Sequence, residues 1–528
     1  MNADAGLVGS LLDVGLAALP ILVVLFAMLR LGWSGALAGL VGWVVAMIVA
    51  GGRFGAGWPL LAYAQGKAFL LALFVLYIIW AALLLYRVTD EAGALAVIGA
   101  SLPRLTPDRG MQALLLGWVF AAFLQGVSGF GVPVAVVAPL LVGLGFPPVA
   151  AVVIVSVGHS WAVTFGSLGS SFYALIASTG FDGAELAPWC GVMLGLSCLG
   201  CGIGTLWAAG GRQTLRDGWV PLVVIGLTMA SVQLLAVVCG LWSVGAMLGG
   251  LAGLAVGVAW VRRRGGGRRG GCSVSSVVEP ASTRWALLPY GLLVAIVLIA
   301  QLVPPVHDFL GRVVIRVEFP PLATSRGWMV PAEVGRTISV FGHAGALLTY
   351  AALITYGLYR RQGRYTAGAA PRIARMVVRK ATRSSLGIVA MVGMAVTMEQ
   401  SGMTHLLAEG IATMAGGVFP LVSPFIGALG AFMTGSNTNS NVVFGGLQRD
   451  VAALIQVSPV FLLAAQTAGG AIGSMFAPAK VIVGCSTVGL GGRESQALRS
   501  TMRYGLVIVG GIALITAVMV SCSVSLRG

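Results

Sequence analysis

The sequence has 528 residues, of which 58% are hydrophobic and only 9% are charged, whereas soluble globular proteins carry roughly 25% charged residues. Together with a mean hydropathy of +0.96, this composition excludes a soluble globular protein. The formal net charge of +16 would indicate nucleic acid only in a soluble chain, so no nucleic-acid partner is predicted. Apolar runs recur from residues 14–30 to 504–520, each long enough for a bilayer core of about 30 Å. The chain is therefore predicted to cross a lipid bilayer many times.

The first polar group along the chain follows the apolar run 68–86. Arg87 precedes Asp90 and Glu91 by three and four residues, which is the spacing of an ion pair on one helix. Burial favours the neutral form of a carboxyl group, so both acids are also candidates for proton coupling. The sequence leaves both interpretations open.

A Gly-rich break follows at residues 125–133, with the sequence QGVSGFGVP. Gly129 and Gly131 permit backbone conformations that a regular helix does not use, and Pro133 suits the first turn of a new helix. A loop that leads into a helix N-terminus presents free N–H groups to an anion, and the Ser128 hydroxyl adds a donor. We interpret this break as half of a substrate site; a kink used only for packing is the alternative.

Small polar residues continue after the prolines at 147 and 148 and extend to residue 171. His159 is a candidate proton carrier because an unperturbed imidazole titrates near neutral pH. A hydrogen-bonded structural histidine is an equal alternative. We place His159 and Ser160 in the predicted substrate site.

Two basic clusters frame the centre of the chain, at residues 262–269 and 360–383. Short basic loops are normally cytoplasmic, and the two apolar runs between the clusters place both on one side of the membrane. The stretch 262–284 is predicted to be a flexible basic cytoplasmic loop, and 305–336 a loop on the other side. The second cluster determines topology or, alternatively, forms an amphipathic interfacial helix.

The second break is an uninterrupted run of small or polar residues, 434–441, with the sequence TGSNTNSN. Each unsatisfied buried amide costs about 1–3 kcal/mol, so this run is predicted to line a water- or substrate-filled cavity. Its amide and hydroxyl groups can coordinate a carboxylate, a hydroxyl group or a cation. The predicted binding residues here are Ser436, Asn437, Thr438, Asn439 and Asn441. An exposed loop at the membrane surface is the alternative.

Further candidate residues lie on both sides of this break. Glu399 precedes it and is a candidate for proton coupling. Gln466 and Thr467 follow Pro459 and are predicted to bind substrate. Lys480 would be costly if it lay deep in the membrane. Pairing with a substrate carboxylate and reaching back to the membrane surface remain two open interpretations of Lys480.

The two breaks belong to an internal repeat. Gly126 aligns with Gly435 at an offset of 309 residues, and Gly158 aligns with Gly469 at an offset of 311. Interrupted helices at matching positions of two halves are the sequence pattern typical of a substrate site in secondary transporters. The repeats are inverted if an odd number of crossings separates them, which the sequence alone does not decide.

These patterns predict an all-α polytopic membrane protein with about 11–14 membrane segments in two structural repeats with broken or re-entrant helices. The first transmembrane half is predicted at residues 1–261, with repeat 1 at about 66–180. The second half is predicted at residues 285–528, with repeat 2 at about 384–490.

The predicted function is secondary active transport, in which one repeat bundle moves against the other around a site near the membrane midplane. An ion channel is less well supported, because acidic residues are sparse and no filter-like repeat occurs. A membrane-embedded enzyme would need a nucleophile–base pair or a metal cluster. Neither pattern is found, so no catalytic residues, metal ligands or cofactors are predicted.

The sequences at both breaks resemble the L-lactate permease family of bacterial lactate and glycolate transporters. The similar segments are 129–141 (GFGVPVAVVAPLL), 144–148 (LGFPP), 434–441 with Phe444 and Gln448, and 492–495 (GRES). The resemblance covers most of the chain, about residues 15–520. It implies a multi-pass permease of the bacterial cytoplasmic membrane that imports 2-hydroxymonocarboxylates such as lactate and glycolate with protons.

The implied partners are a small organic anion and a coupling proton. Na⁺ is the alternative ion and another organic anion the alternative substrate, and a homo-oligomer is left open. The chain departs from the family at 158–161, GHSW, where an Asn–Thr–Ala–Pro-like stretch is typical, and at Lys480, where Pro–Gln–Ser is typical. An imidazole and an ammonium group are thereby added to the predicted pocket.

Overall fold

The structure is a computed structural model that describes residues 11–101, 106–129, 131–265, 280–490 and 494–525. Ten helices in these ranges are long and apolar enough to cross a membrane, and one bent pair would add an eleventh. Two shorter apolar helices, Leu12–Met28 and Val132–Gly143, accompany them. The predicted fold class, an all-helical membrane protein with broken helices, is confirmed.

The helices of the first half are α1 (Leu11–Leu29), α2 (Gly35–Gly52), α3 (Trp58–Glu91), α4 (Ala94–Ser101), α5 (Arg109–Gln112), α6 (Ala121–Val127), α7 (Val132–Gly143), α8 (Pro148–His159), α9 (Ser170–Thr179), α10 (Gly183–Val238) and α11 (Gly245–Gly265). Those of the second half are α12 (Pro280–Leu302), α13 (Pro304–Leu310), α14 (Ala344–Arg361), α15 (Ala369–Gln400), α16 (Met403–Ala415), α17 (Phe419–Thr434), α18 (Asn437–Leu454), α19 (Pro459–Gly473), α20 (Pro478–Thr487) and α21 (Glu494–Ser525). A π-helical segment, Ala113–Phe120, joins α5 to α6, so that Arg109–Val127 forms one buried span.

Proline marks the start of several of these helices. Pro148 and Pro459 lie in the first turn of α8 and α19, where a missing N–H breaks no helical hydrogen bond. Pro133 occupies the same position in α7, as its place after the Gly-rich break predicts. The three prolines thus fix where the chain re-enters a helix after each turn.

The second break is shorter in the structure than the polar run in the sequence. Gly435, with φ of 70°, and Ser436 interrupt the helix. α18 begins at Asn437 because the Ser436 hydroxyl accepts a hydrogen bond from the Asn439 N–H at 3.3 Å, which is the role of a helix N-cap. The polar residues that follow therefore lie on a helix and hold fixed directions.

The order of elements in the first half recurs in the second. α2 and α14 begin 309 residues apart (344 − 35) and end at the same offset (361 − 52). α3 and α15 also end 309 residues apart (400 − 91). Each copy continues with a short helix, a broken hairpin, a broken helix pair and a long final helix. The structural repeat therefore also includes α2 and α14. The exact limits of the two halves stay a prediction.

Each copy contains a place where two helices touch through their backbones. A Cβ atom at Gly158 in α8 would overlap the carbonyl oxygen of Gly117, and one at Gly469 in α19 would overlap that of Pro424 in α17. Small residues allow such close approach between membrane helices. The aligned residues Gly158 and Gly469 therefore have the same packing role.

The helices form two groups. We call α1–α4 and α12–α16 the scaffold group, and α5–α11 and α17–α21 the hairpin group. In the scaffold group α2 packs against α15 and α14 against α3, and in the hairpin group α10 packs against α8 and α21 against α19. Each of these contacts in one copy has its counterpart in the other.

The interface between the two groups lacks this symmetry. α18 packs against α15 and α16, and α9 packs against α3. Within the described residues, the counterpart helices α7 and α20 make no comparable contact with α3 and α15. Ile482 and Val483 of α20 are accordingly 51% and 42% exposed. One side of the interface is closed and the other is open.

The predicted loop between α13 and α14 contains a ladder of three antiparallel strand pairs. β1 (Val314–Ile315) pairs with β6 (Ile338–Ser339), β2 (Glu318–Phe319) with β5 (Glu333–Val334), and β3 (Leu322–Ala323) with β4 (Met329–Val330). The ladder rests on the scaffold group, because Nζ of Lys67 in α3 donates to Glu333 and, at 2.8 Å, to Gln400 in α15.

The two basic clusters have different structural settings. α11 ends at Gly265 and α12 begins at Pro280, and most of the predicted flexible loop, residues 266–279, lies outside the described residues. The second cluster contributes the first turns of α15, which continues without interruption to Gln400. The amphipathic interfacial helix, the alternative drawn from the sequence for this cluster, stays a prediction for the basic N-terminal part of α15.

Candidate functional site

Each of the two copies contains two interruptions of its helices. In the first copy they are at residues 128–131, between α6 and α7, and 160–169, between α8 and α9; Phe130 lies outside the described residues. In the second copy they are at residues 435–436, between α17 and α18, and 474–477, between α19 and α20. Broken helices inside a membrane protein need polar partners for their freed backbone groups.

Asn437, the first residue of α18, connects the two copies. Its side chain is buried, and Nδ2 donates to Oγ1 of Thr164 at 3.1 Å and to Oγ1 and the carbonyl oxygen of Thr467, both at 3.2 Å. The hydroxyl oxygens of Thr164 and Thr467 are 3.1 Å apart. A break of the first copy is thus joined to α18 and α19 of the second.

Asn441 extends this network by one turn of α18. Its Nδ2 donates to the carbonyl oxygen of Ser171 and to Oγ1 of Thr467, both at 2.9 Å. The hydroxyl oxygens of Ser171 and Thr438 are 3.1 Å apart. All of these side chains are buried. We call this set the amide cluster; its members are Thr164, Ser171, Asn437, Thr438, Asn441 and Thr467.

A second branch continues along the same side of α18 and stays within the second copy. Gln466 Nε2 donates to the hydroxyl oxygen of Ser440 at 3.0 Å, and its Oε1 accepts from Gln448 Nε2 at 3.1 Å. The Ser440 hydroxyl donates to the carbonyl oxygen of Gly427 at 2.7 Å. This branch holds α17, α18 and α19 together, so polar contacts fix α18 over several turns.

Several oxygen atoms at these breaks have no hydrogen-bond partner among the described residues. They are Oδ1 of Asn437, Asn439 and Asn441, and Oε1 of Gln125 and Gln448, and all of them are buried. Buried acceptors are paired in nearly all native proteins. Amide oxygens left unpaired at a break can accept a hydrogen bond from a ligand hydroxyl group or coordinate a cation.

The first break is packed against the second interruption of its own copy. Gly129 has φ of 60°, and a Cβ atom there would overlap the hydroxyl oxygen of Ser167. Ser167 itself has φ of 47°, a conformation that is costly for a residue with a side chain. Gly131, with φ of 80°, directly precedes α7. This strained region adjoins the amide cluster through Thr164.

An ion pair crosses the interface between the scaffold and hairpin groups. Nη2 of Arg449 in α18 donates to Glu399 in α15 at 3.0 Å, and its Nε donates to Asp450 at 2.9 Å. Its Nη1 donates to the carbonyl oxygen of Thr179 in α9 at 3.3 Å. Arg449 therefore joins the second hairpin to the first copy and to the scaffold at the same time.

The other acidic candidates lie on the scaffold group. Asp90 pairs with Arg87 at 2.5 Å, which is the helical ion pair that their spacing predicts. Glu91 pairs with Arg372 of α15 at 2.8 Å. The first pair lies within α3 and the second links α3 to α15, whereas the Glu399 pair links the scaffold to the broken hairpin.

A family model described as L-lactate permease matches residues 13–524 of this chain. The chain belongs to the L-lactate permease family. The L-lactate permease of Bacillus subtilis (strain 168) is 30% identical over 96% of this chain and 96% of its own length. The glycolate permease GlcA of Escherichia coli (strain K12) is 28% identical over 95% of this chain and 94% of its own length. The resemblance seen in the motifs at both breaks is confirmed.

A solved structure with a similar fold is that of Neisseria gonorrhoeae MtrF, which illustrates a class of antimetabolite efflux pumps. It matches 94% of this chain and 97% of its own with a TM-score of 0.50 and 14% sequence identity, so the likeness concerns the fold alone. Membership of the L-lactate permease family and the ten apolar helices make this chain a multi-pass transporter of the bacterial cytoplasmic membrane that takes a small organic anion.

The structure of this L-lactate permease family member brings part of the predicted site together. The amide cluster contains four of the predicted residues, Asn437, Thr438, Asn441 and Thr467. A fifth, Gln466, bonds to Ser440 of α18. Asn439 lines a cavity of about 10 Å³ together with Thr434 and Ser440. Ser436 caps α18, and Gly129 and Gly131 form the first break. Their roles in binding stay a prediction.

Three predicted residues of the first copy bond to their own helices instead. The hydroxyl groups of Ser128 and Ser160 donate to carbonyl oxygens four and three residues earlier, at 2.7 and 2.8 Å. His159 Nδ1 lies 2.6 Å from the carbonyl oxygen of Val155. These contacts leave their side chains outside the amide cluster.

Three residues of this region were not predicted from the sequence to belong to the site. Thr164 and Ser171 lie in the polar stretch after His159, but nothing in a single sequence selects them from their neighbours. Arg449 carried a usable signal, because an arginine between apolar stretches of a membrane protein is rare and usually paired. Its spacing from Glu399 gave no indication that the two would meet.

Proposed function

We propose that this chain is a secondary active transporter that imports small 2-hydroxymonocarboxylates, lactate and glycolate, together with protons. The observation that carries the proposal is the amide cluster, which places buried amide and hydroxyl groups of both copies at one point between broken helices. Such a site at the contact of two repeats is typical of secondary transporters. The names of its relatives, L-lactate permease and glycolate permease, point to the same substrate class.

The open and closed sides of the interface support alternating access. α18 and α9 pack against the scaffold group, while their counterparts α20 and α7 do not. In the opposite state, the hairpin group would bring α7 towards α3 and move α18 away from α15. The site would then be exposed in turn to the two sides of the membrane.

Glu399 is the coupling residue that this interface favours. Its carboxylate is the acceptor for Arg449 at the contact that must open. Protonation of Glu399 would remove the charge that holds Arg449 and would weaken this contact. Asp90 and Glu91 are less favoured, because both of their pairs lie inside the scaffold group and do not cross the interface.

The test is uptake of labelled L-lactate into proteoliposomes that contain the purified protein, with and without an imposed pH gradient. Saturable uptake that the gradient stimulates and glycolate inhibits supports the proposal. Stimulation by a Na⁺ gradient alone would identify Na⁺, instead of the proton, as the coupling ion. If folded protein takes up neither acid, 2-hydroxymonocarboxylates are not its substrates and another organic anion is. An ion flux that does not saturate would favour a channel.

A further inference from the structure

Lys480, in the first turn of α20, is a cation without a carboxylate partner. Its Nζ donates to the hydroxyl oxygen of Ser474 at 3.0 Å, and Ser474 is fully buried. No carboxylate of the described residues lies within ion-pair distance of Nζ. An ammonium group has three donors, so two of the three have no protein acceptor in the part of the chain that the structure describes.

Two other cations of the helical body have carboxylate partners. Lys67 pairs with Glu333, and Arg449 pairs with Glu399 and Asp450. Arg336 has no carboxylate partner among the described residues, but its guanidinium group lies over the Phe74 ring, 4.3 Å from the centroid. A charge held away from water is costly unless it is paired, so the ammonium group of Lys480, which has neither kind of partner in the described ranges, points to a ligand as its counter-ion.

Lys480 lies on the open side of the interface. α20 is one of the two helices that do not pack against the scaffold group, and Lys480 is only partly buried. Its neighbours Ile482 and Val483 are exposed. α20 therefore borders the side from which an anion would enter.

His159, at the end of α8, supplies a second unpaired group next to Lys480. α8 packs against α20 and against residues 474–476, which include Ser474, the hydrogen-bond partner of Lys480. Because a carbonyl oxygen only accepts, the 2.6 Å contact with Val155 places the proton of the neutral ring on Nδ1. Nε2 is then a hydrogen-bond acceptor, and it is buried without a partner among the described residues.

We propose that Lys480 and His159 form a two-point subsite for a 2-hydroxycarboxylate: the ammonium group binds the carboxylate, and Nε2 accepts the hydrogen bond of the 2-hydroxyl group. This inference rests on the proposed function and specifies how that site selects its substrate. A cation and a neutral acceptor are complementary to the two polar groups of lactate or glycolate. His159 is the last residue of α8, and Thr164 of the amide cluster lies in the interruption that follows it.

The test compares binding of sodium L-lactate and sodium propionate, which share a carbon skeleton but differ in the 2-hydroxyl group. Apparent affinities come from the melting temperature of the purified full-length protein at increasing concentrations of each acid. We expect the wild-type protein to prefer L-lactate by about tenfold or more, the ratio that corresponds to about 1.4 kcal/mol. K480Q should weaken binding of both acids by about tenfold or more.

Two substitutions of His159 separate its nitrogen atoms. H159N retains a donor near the position of Nδ1 and removes Nε2, so it should abolish the preference for L-lactate without weakening propionate binding. H159Q places an amide oxygen near the position of Nε2 and should restore part of the preference. K380Q and H405Q, which alter the same residue types elsewhere in the chain, should behave as wild type.

Wild-type affinities for both acids in K480Q and H159N would overturn the subsite even if lactate uptake continues. Absence of binding of either acid to the wild-type protein would also overturn it. If the wild-type protein binds L-lactate with the expected dependence on both residues but transports neither lactate nor glycolate, the subsite stands and the proposed function is wrong.

Discussion

The hydroxyl oxygen of Thr467 accepts hydrogen bonds from two asparagine side chains, Asn437 at 3.2 Å and Asn441 at 2.9 Å. The two asparagines are one turn apart on α18, and Thr467 is on α19. A single hydroxyl group therefore sets the direction of both amides, whose oxygen atoms remain unpaired among the described residues. The geometry of the amide cluster depends on this hydroxyl more than on any one asparagine.

T467V removes the hydroxyl group while keeping the shape of the side chain. We expect uptake of L-lactate to fall by about tenfold or more, because each asparagine amide loses one acceptor and Asn441 Nδ2 keeps only the carbonyl oxygen of Ser171, at a cost of about 1–3 kcal/mol for the unpaired N–H. Membrane abundance should change little. T516V is the matched control, because Thr516 is also buried and bonds only to its own helix. Uptake by T467V at the rate of T516V would contradict a role for the amide cluster in transport.

N437A and S128A test whether the two breaks share one site. N437A should abolish most uptake with abundance retained, since Asn437 joins the breaks of both copies. Ser128 belongs to the substrate site that the sequence predicts, but its hydroxyl group donates to the carbonyl oxygen of Leu124 in α6. We therefore expect S128A to lose less of the initial uptake rate than N437A. Equal rates in N437A and wild type would contradict the shared site.

E399Q tests the coupling role of the interface ion pair. Glutamine can still accept a hydrogen bond from Arg449 but cannot carry a proton that is exchanged with water. We expect exchange of L-lactate across the membrane to persist and accumulation driven by a pH gradient to be lost. The measurement is labelled lactate counterflow compared with gradient-driven uptake in the same proteoliposomes.

E409Q is the control for this prediction, because Glu409 is a partly exposed acid on the neighbouring helix α16 and pairs only with His405. It should retain both activities. If E399Q accumulates lactate under a pH gradient as well as E409Q does, the coupled proton is carried elsewhere, and His159 becomes the next residue to substitute.

Alanine at either of the aligned glycines should destabilise the protein. A Cβ atom at Gly158 or Gly469 overlaps a backbone carbonyl oxygen that has no freedom to move, and overpacking typically costs about 1–3 kcal/mol. Both variants should show a lower melting temperature and lower abundance. G446A is the control, since a Cβ atom at Gly446 meets no atom within 4 Å. A melting temperature for G158A and G469A equal to that of G446A would exclude the backbone contact.

A cross-link across the closed side of the interface should arrest transport. Ala395 of α15 and Val443 of α18 line the same cavity of about 20 Å³, so A395C and V443C should be joined, through a disulfide at each end, by a short bifunctional thiol reagent. Uptake should stop and return on reduction, because α18 must leave α15 in each cycle. The pair G39C and A390C lies within the scaffold group, where a Cβ atom at Gly39 is 3.2 Å from that of Ala390, and its cross-link should leave uptake unchanged. Full uptake by the cross-linked α15–α18 pair would contradict the proposed motion.

Much of the fold could be predicted because its signals are local or periodic. The apolar runs gave the membrane helices, and the constant offset between Gly126 and Gly435 gave the repeat. The prolines at 148 and 459 gave the helix starts after each turn. The strand ladder was not predicted, since pairs of two residues carry no recognisable alternation. The length of the second break was also misjudged, because a single N-cap at Ser436 turns a polar run into a helix.

The site was predicted only where its residues form an unusual run of sequence. Asn437 and Asn441 stand out because polar amides interrupt an apolar segment. Thr164 and Ser171 do not, since their importance comes from contacts with residues about 270–300 positions away. The pairing of Arg449 with Glu399 depends on how two groups of helices dock, and no local pattern encodes that contact.

The strand ladder on the scaffold group has a practical consequence. It is tied to α3 through Lys67 and through the Tyr77 hydroxyl, which donates to the carbonyl oxygen of Val340 at 3.0 Å, and Ser325 bonds to Gly55 just after α2. A nanobody raised against this ladder would bind to the scaffold group, which keeps its position in the proposed motion. It would give electron cryomicroscopy a rigid fiducial on a small membrane protein while the hairpin group remained free to adopt either orientation on the grid.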